Sequence, residues 1–243
     1  LSIFQGQWFR RHFDQGFPAR YCSFEQEEGR EVSEEIIQGS DQWKALRLGK
    51  VTASRVADVI AKTKSGYSAS RANYMAQLIA ERLTGTVAES YTNAAMQHGT
   101  ETEPEARDAY CFYQGVTVEQ VAFVPHPKID QAGCSPDGLV GTDGLVEIKA
   151  PNTATHLETL LGQGVPIKYE AQMQFQMSCT GRQWCDFVSY DPRMPENMRL
   201  FIKRVPRNDA FIAEIEKEIA AFLLEMAVKL SQLTTLYGEK EAA

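Results

Sequence analysis

Asp137, Glu147 and Lys149 stand in the run CSPDGLVGTDGLVEIKAP, which reads Pro-Asp, nine residues, then Glu-Ile-Lys. Alternate side chains of a strand share a face, so Glu147 and Lys149 point one way while Val146 and Ile148 point into a core. Asp143-Gly144 is a hairpin signal, and if the flanking strands pair, Asp137 approaches Glu147 from the neighbouring strand. Two carboxylates and an ammonium then share one small volume, which is costly to assemble without a reason. A divalent cation between the carboxylates removes their repulsion, can hold a phosphate and lowers the pKa of a bound water. The lysine is then placed to orient the attacking water or to steady developing charge. Spacing alone leaves a plainer alternative open, because Pro-Asp-Gly and Asp-Gly are common turns and Glu-x-Lys is common on solvated strands.

The rest of the chain supplies the elements that must position these groups. Ser40-Asp41 caps a short helix carrying Trp43 and Leu46, Thr52-Ala53-Ser54 opens another, and Lys62 to Ser70 is a polar loop. Met75, Leu78, Ile79 and Leu83 at helical spacing predict a helix over Asn73 to Thr84, and Ala94 to Phe112, Thr153 to Leu161 and Tyr169 to Cys179 also read as helices. Strands are expected over Val116 to Pro125, Ala132 to Leu139, Gly144 to Ala150, Cys185 to Tyr190 and Arg199 to Val205. A last helix starts at Asn208-Asp209, with Phe211, Ile215, Ile219, Phe222, Met226, Leu230 and Leu233 as its stripe. This intermixing predicts an α/β fold with a mixed central β-sheet flanked by helices. Residues 1–40 are aromatic-rich and then acidic, and read as an N-terminal extension that could include a cloning remnant. Residues 41–243 read as one domain.

Composition excludes several classes. No run of 18 apolar residues occurs in the 243, so no transmembrane helix or other membrane association is expected, and no secretory signal is recognised. The five cysteines include no Cys-x-x-Cys pair, against a zinc ribbon or a four-cysteine cluster and in favour of free thiols in a reducing cytosol. The net charge of −7 hides a local excess: Lys44, Arg47, Lys50, Arg55, Lys62, Lys64, Arg71 and Arg82 are opposed in their stretch only by Asp58 and Glu81. Such a stretch fits a phosphate-binding channel; two amphipathic helices with solvated outer faces would also produce it.

The blocks DQWKALRLGKVTASRVADVIA, HGTETEPEARDAY, CSPDGL, VEIKAP, YEAQMQFQMS and YDPRM occur in this order between Asp41 and Met194. Together they resemble lambda exonuclease and the YqaJ-type viral recombinases of the PD-(D/E)XK nuclease superfamily. The resemblance implies a PD-(D/E)XK core and an alkaline-type deoxyribonuclease that digests one strand of linear double-stranded DNA 5′ to 3′. It releases mononucleotides and leaves a 3′ overhang for recombination by strand annealing. It further implies Mg2+ (with Mn2+ as a substitute), two ions with DNA bound, held by Asp137, Glu147, Glu103 and the Ile148 backbone carbonyl. A homotrimeric ring, a single-strand annealing protein as partner, double-stranded DNA ends as substrate and the cytoplasm of a bacterial host complete the expectation.

By the same resemblance Arg47, Ser54 and Ser135 bind the 5′-phosphate, as a guanidinium fork with small hydroxyls can. Gln172 lies near the attacking water, and Lys64 and Met96 help to split the duplex end. The residues leave alternatives open. Glu103 and Arg107 are four apart and could form a helix-surface ion pair, and Ser54 could be only a cap. Met96 could be a core residue, and Gln174 or Gln176 could take the place of Gln172. The histidines show no ligand spacing. Related readings on the same core are a structure-specific endonuclease, an exonuclease of other polarity, or an inactive DNA clamp that loads an annealing protein.

Overall fold

A computed structural model describes residues 36–87, 94–162 and 164–238, with the side chains of residues 94–96 outside the description. Most of the extension expected over residues 1–40, and the side chain of Met96, thus lie outside the described residues. The chain runs α1 (Asp41–Arg47), β1 (Val51–Thr52), a 3-10 turn (Ala53–Arg55), α2 (Val56–Ile60), β2 (Lys62–Thr63), β3 (Gly66–Tyr67), α3 (Ala69–Thr84) and α4 (Ala94–Gln114). It continues through β4 (Val118–Glu119), β5 (Val124–Pro125), β6 (Ala132–Cys134), β7 (Gly138–Val140), β8 (Gly144–Lys149), α5 (Thr153–Gly162), α6 (Ile167–Thr180), β9 (Trp184–Tyr190), β10 (Leu200–Pro206) and α7 (Asp209–Tyr237).

Five strands form the main sheet in the order β10-β9-β8-β7-β4, parallel at β8–β9 and antiparallel elsewhere. Its two faces follow from strand alternation. Val146 and Ile148 of β8 join Val188 and Tyr190 under Ala106 and Tyr110 of α4. Leu145 faces the other way with Cys185 and Phe187, and packs against Met173 and Met177 of α6 and Ile212 of α7. A third cluster joins α2 and α3 (Val56, Val59, Tyr74, Leu78) to Phe175 of α6 and to Ile215, Ile219, Phe222 and Met226 of α7. The apolar stripe expected on the last helix is therefore the seam between the two layers. It fades at Leu230, and Leu233 is exposed.

Several expected elements are divided. Ala132 to Leu139 is not one strand: β6 and β7 belong to different sheets, separated by Ser135-Pro136-Asp137. Pro136 has no N–H to give a ladder, and the Ile148 N–H donates to the Asp137 carboxylate (2.6 Å) instead of to a strand. Val116 to Pro125 likewise splits into β4 and β5, and Lys62 to Ser70 holds a two-stranded hairpin, β2–β3, ahead of α3. Close approach explains two glycines. A Cβ on Gly144 would lie 2.1 Å from the Trp184 ring, and one on Gly138 would lie 2.0 Å from Val118. Cys111, Cys134, Cys179 and Cys185 are buried, and burial pushes the Cys179 and Cys185 thiols above their ordinary pKa.

The basic stretch is not an open patch of charge. Lys44 pairs with Asp41, Arg55 with Asp58, Lys62 with Glu218 and Arg71 with Glu225, while Arg82 donates twice to the Gly49 carbonyl. Two of these partners come from α7, which sequence proximity could not supply.

Candidate active site

The last β7–β8 pair is Gly138 with Val146, so Asp137 lies one register step further on, across from Glu147. The Glu147 carboxylate lies on the α6 side of the sheet, near enough for its charge to act on Asp137. Glu147 is fully buried. Its Oε1 accepts from Gln172 Nε2 (2.6 Å) and pairs with the Lys149 ammonium; its Oε2 accepts from Gln176 Nε2 (2.6 Å). Lys149 also lies over the Tyr169 ring, 5.3 Å from its centre.

Burial raises the Asp137 carboxyl well above the usual carboxylate range, and the charges of Glu147 and Glu103 push it further; Lys149 and the Ile148 N–H oppose them. Burial alone would lower the Lys149 ammonium, but Glu147 and Asp137 outweigh it and hold Lys149 above its ordinary value. The lysine is thus cationic, and one ammonium faces two crowded carboxylates. The oxygen donors of half-buried Asp137 and fully buried Glu147 suit a hard divalent cation, and their repulsion is what such an ion relieves.

Glu103 takes up the alternative left open by its spacing. It pairs with Arg107 on α4, and no group of three His, Cys, Asp or Glu side chains is gathered for a metal among the described residues. The donor set as it stands is Asp137 and Glu147, with Glu103 near enough for its charge to act on Asp137. The open choice among three glutamines resolves by helix geometry. Gln172 and Gln176, four apart, share the face towards Glu147, whereas Gln174 donates to the Pro206 carbonyl and accepts from Asn208 N.

A second locus adjoins the first. Ser135 Oγ accepts from Arg47 (3.0 Å) and from Trp43 Nε1 (2.9 Å), and the Arg47 guanidinium stacks 4.1 Å over the Trp43 ring. α1 is docked there because Ser40 caps it and Gln38 donates to the Val121 and Pro136 carbonyls. Burial lowers the Arg47 pKa, and no carboxylate forms an ion pair with Arg47 among the described residues. A desolvated guanidinium without an anionic partner is suited to an anion. Ser54 is exposed and its hydroxyl lies 3.4 Å from Thr52 Oγ1; no hydrogen bond joins it to Arg47 or Ser135 among the described residues. Lys64 sits at the exposed tip of the β2–β3 hairpin. Trp43 and Gln38 were missed as contributors, and Gln176, read only as an alternative to Gln172, stands beside it; the four-residue spacings of Trp43 with Arg47 and of Gln172 with Gln176 were the available signals.

One constellation resembles a hydrolytic triad without being one. His126 Nε2 lies 3.0 Å from Ser178 Oγ and 3.2 Å from Glu216. However, its Nδ1 accepts from the Lys128 and Ile129 N–H groups, and Ser178 donates to Glu216. The imidazole has no lone pair left to take a proton from the hydroxyl, so the set is a structural tie.

Residues 42–183 match the YqaJ-like viral recombinase domain. The chain belongs to this family. A solved structure of the alkaline exonuclease LHK-Exo from Laribacter hongkongensis is 55% identical, with a TM-score of 0.76 over 81% of this chain and 97% of that one. A second structure describes LHK-Exo in complex with dAMP. The phage-related exonuclease of Haemophilus somnus 129PT is 16% identical with a TM-score of 0.64, covering 76% of this chain and 96% of that one, and attests the fold alone. The ExoD protein of Escherichia coli K12 is 26% identical over 78 residues, 32% of this chain and 88% of its own. The fold of this YqaJ-like chain is accordingly the mixed α/β PD-(D/E)XK nuclease fold.

Proposed function

We propose that this YqaJ-like nuclease is a Mg2+-dependent exonuclease that digests one strand of linear duplex DNA 5′ to 3′. Mononucleotides are released, and a 3′ overhang remains for strand annealing in phage-type recombination. The observation that carries the reading is the meeting of half-buried Asp137 and Lys149 with fully buried Glu147 at the β7–β8 edge. The 55% identity to an alkaline exonuclease, also solved with a deoxynucleoside monophosphate, supports the substrate class.

Asp137 and Glu147 would hold the cation, which supplies Lewis-acid polarisation of the scissile phosphate and a more acidic water. Lys149 remains protonated and donates to the water or to the charge developing on phosphate. Gln172 shares Glu147 Oε1 with Lys149 and so fixes the direction of that ammonium. Water oxygen bonds to phosphorus, the P–O3′ bond breaks, and the leaving oxygen takes a proton. Arg47 and Ser135 would receive the 5′-phosphate. Ser135 is two residues from Asp137, within about 7 Å along the chain, which sets end recognition beside cleavage. By the same reading the enzyme is a homotrimeric ring that acts with a single-strand annealing protein in the cytoplasm of a bacterial host.

Linear duplex with Mg2+ tests the reading. Digestion from 5′-phosphorylated ends, lost in Asp137→Ala and slowed by Arg47→Ala far more on 5′-phosphate than on 5′-hydroxyl ends, is the expected result. Internal cuts in circular duplex would favour the endonuclease reading, and undiminished digestion by Asp137→Ala would remove the metal site.

A further inference from the structure

The three donors on Glu147 are unevenly shared between its two oxygens, and this division assigns separate work to two glutamines. A carboxylate oxygen accepts through two in-plane lone-pair directions. Those of Oε1 are both taken, by Gln172 Nε2 at 2.6 Å and by the Lys149 ammonium. Among the described residues Oε2 has one donor, Gln176 Nε2 at 2.6 Å, and so keeps one direction open. We infer that Glu147 presents Oε2 to the cation, and that Gln176 is the positioning residue that aims this oxygen. The inference rests on the nuclease reading of the site and goes beyond it by naming the oxygen and the residue that orients it.

Gln176 is a poor choice for packing alone. It is fully buried, lies on α6 between Met173 and Met177, which are also fully buried, and its amide oxygen has no hydrogen-bond partner among the described residues. An unsatisfied buried acceptor opposes folding, which a methionine at the same place would avoid. The hydrogen bond that its amide nitrogen makes is the one to Glu147. Groups that hydrogen-bond a metal ligand and fix its direction change metal affinity by roughly 10- to 100-fold when removed. Gln172, on the oxygen shared with the ammonium, should act instead on the placement of Lys149.

The test is calorimetric titration of Mn2+ into the DNA-free protein, set beside digestion of linear duplex at rising Mn2+. Gln176→Met should weaken Mn2+ binding roughly 10-fold, and its lost activity should be recovered by more Mn2+. Gln172→Met should bind Mn2+ nearly as the parent does, with a rate that more Mn2+ does not restore. Circular dichroism checks folding, and Gln176→Ala replaces the methionine variant if that one fails. Parent-like Mn2+ affinity in the Gln176 variant, or the same affinity shift in both, overturns the inference. A parent chain that neither binds Mn2+ nor digests DNA overturns the nuclease reading instead, so the two failures are distinguishable.

Discussion

The Asp137 carboxyl is raised first by burial and then by Glu147, and this makes it a destabilising charge in the metal-free protein. A carboxyl whose folded-state pKa lies above its unfolded value binds its proton more tightly when folded. Its contribution favours folding below the ordinary carboxylate range and is lost as pH rises from that range through the raised value. Asp137→Asn should therefore raise the melting temperature of the metal-free protein, more at neutral than at acid pH, while abolishing digestion. A lower melting temperature at neutral pH would show that the Ile148 N–H bond outweighs the repulsion. Lys149→Met should cut turnover by about 100-fold or more with a smaller effect on Mn2+ affinity, read by the same titration. The residue scale was the most legible in the sequence, because period-two alternation is local and needs no tertiary knowledge. Gln176 was less so: four-residue spacing pairs it with Gln172, but only packing shows that this face, and not that of Gln174, meets β8.

At the scale of elements, the site depends on β8 lying parallel to β9 in one register, with Gly144 opposite Trp184. Gly144→Ala would place a methyl where the Trp184 ring now lies. We expect a loss of about 1–3 kcal/mol in chemical denaturation, and a fall in activity, because Glu147 and Lys149 lie further along the same strand. Unchanged stability would mean that the ring rotates away freely. Helix α7 was readable because its apolar period is long. The break between β6 and β7 was not, since it depends on a side chain, Asp137, taking a backbone donor of β8. The β2–β3 hairpin was hidden for a related reason. It is tied down by Glu218, which accepts from Lys62 and Tyr67 across more than 150 residues of sequence.

On the scale of the whole molecule, charge has to be counted after folding. Lys62 and Arg71 are tied to α7 and Arg82 to a backbone carbonyl, so they have less left to offer DNA than their sequence density suggests. Each phosphate contact contributes about −0.9 to the slope of log K against log salt. Lys64→Ala should make that slope shallower by about one, whereas Arg71→Ala should leave the slope and lower the melting temperature. Fluorescence anisotropy at several salt concentrations, with a melting curve for each variant, decides between these outcomes; a shallower slope in Arg71→Ala would return that residue to the DNA-binding surface. The buried thiols have a practical consequence. Cys134 and Cys179 lie in the layer of α2, α3 and α7, Cys185 under α6, and Cys111 on α4. An alkylating reagent should leave all four unlabelled while the protein is native, and the order in which they become labelled under mild denaturant would record which layer opens first, without any introduced probe.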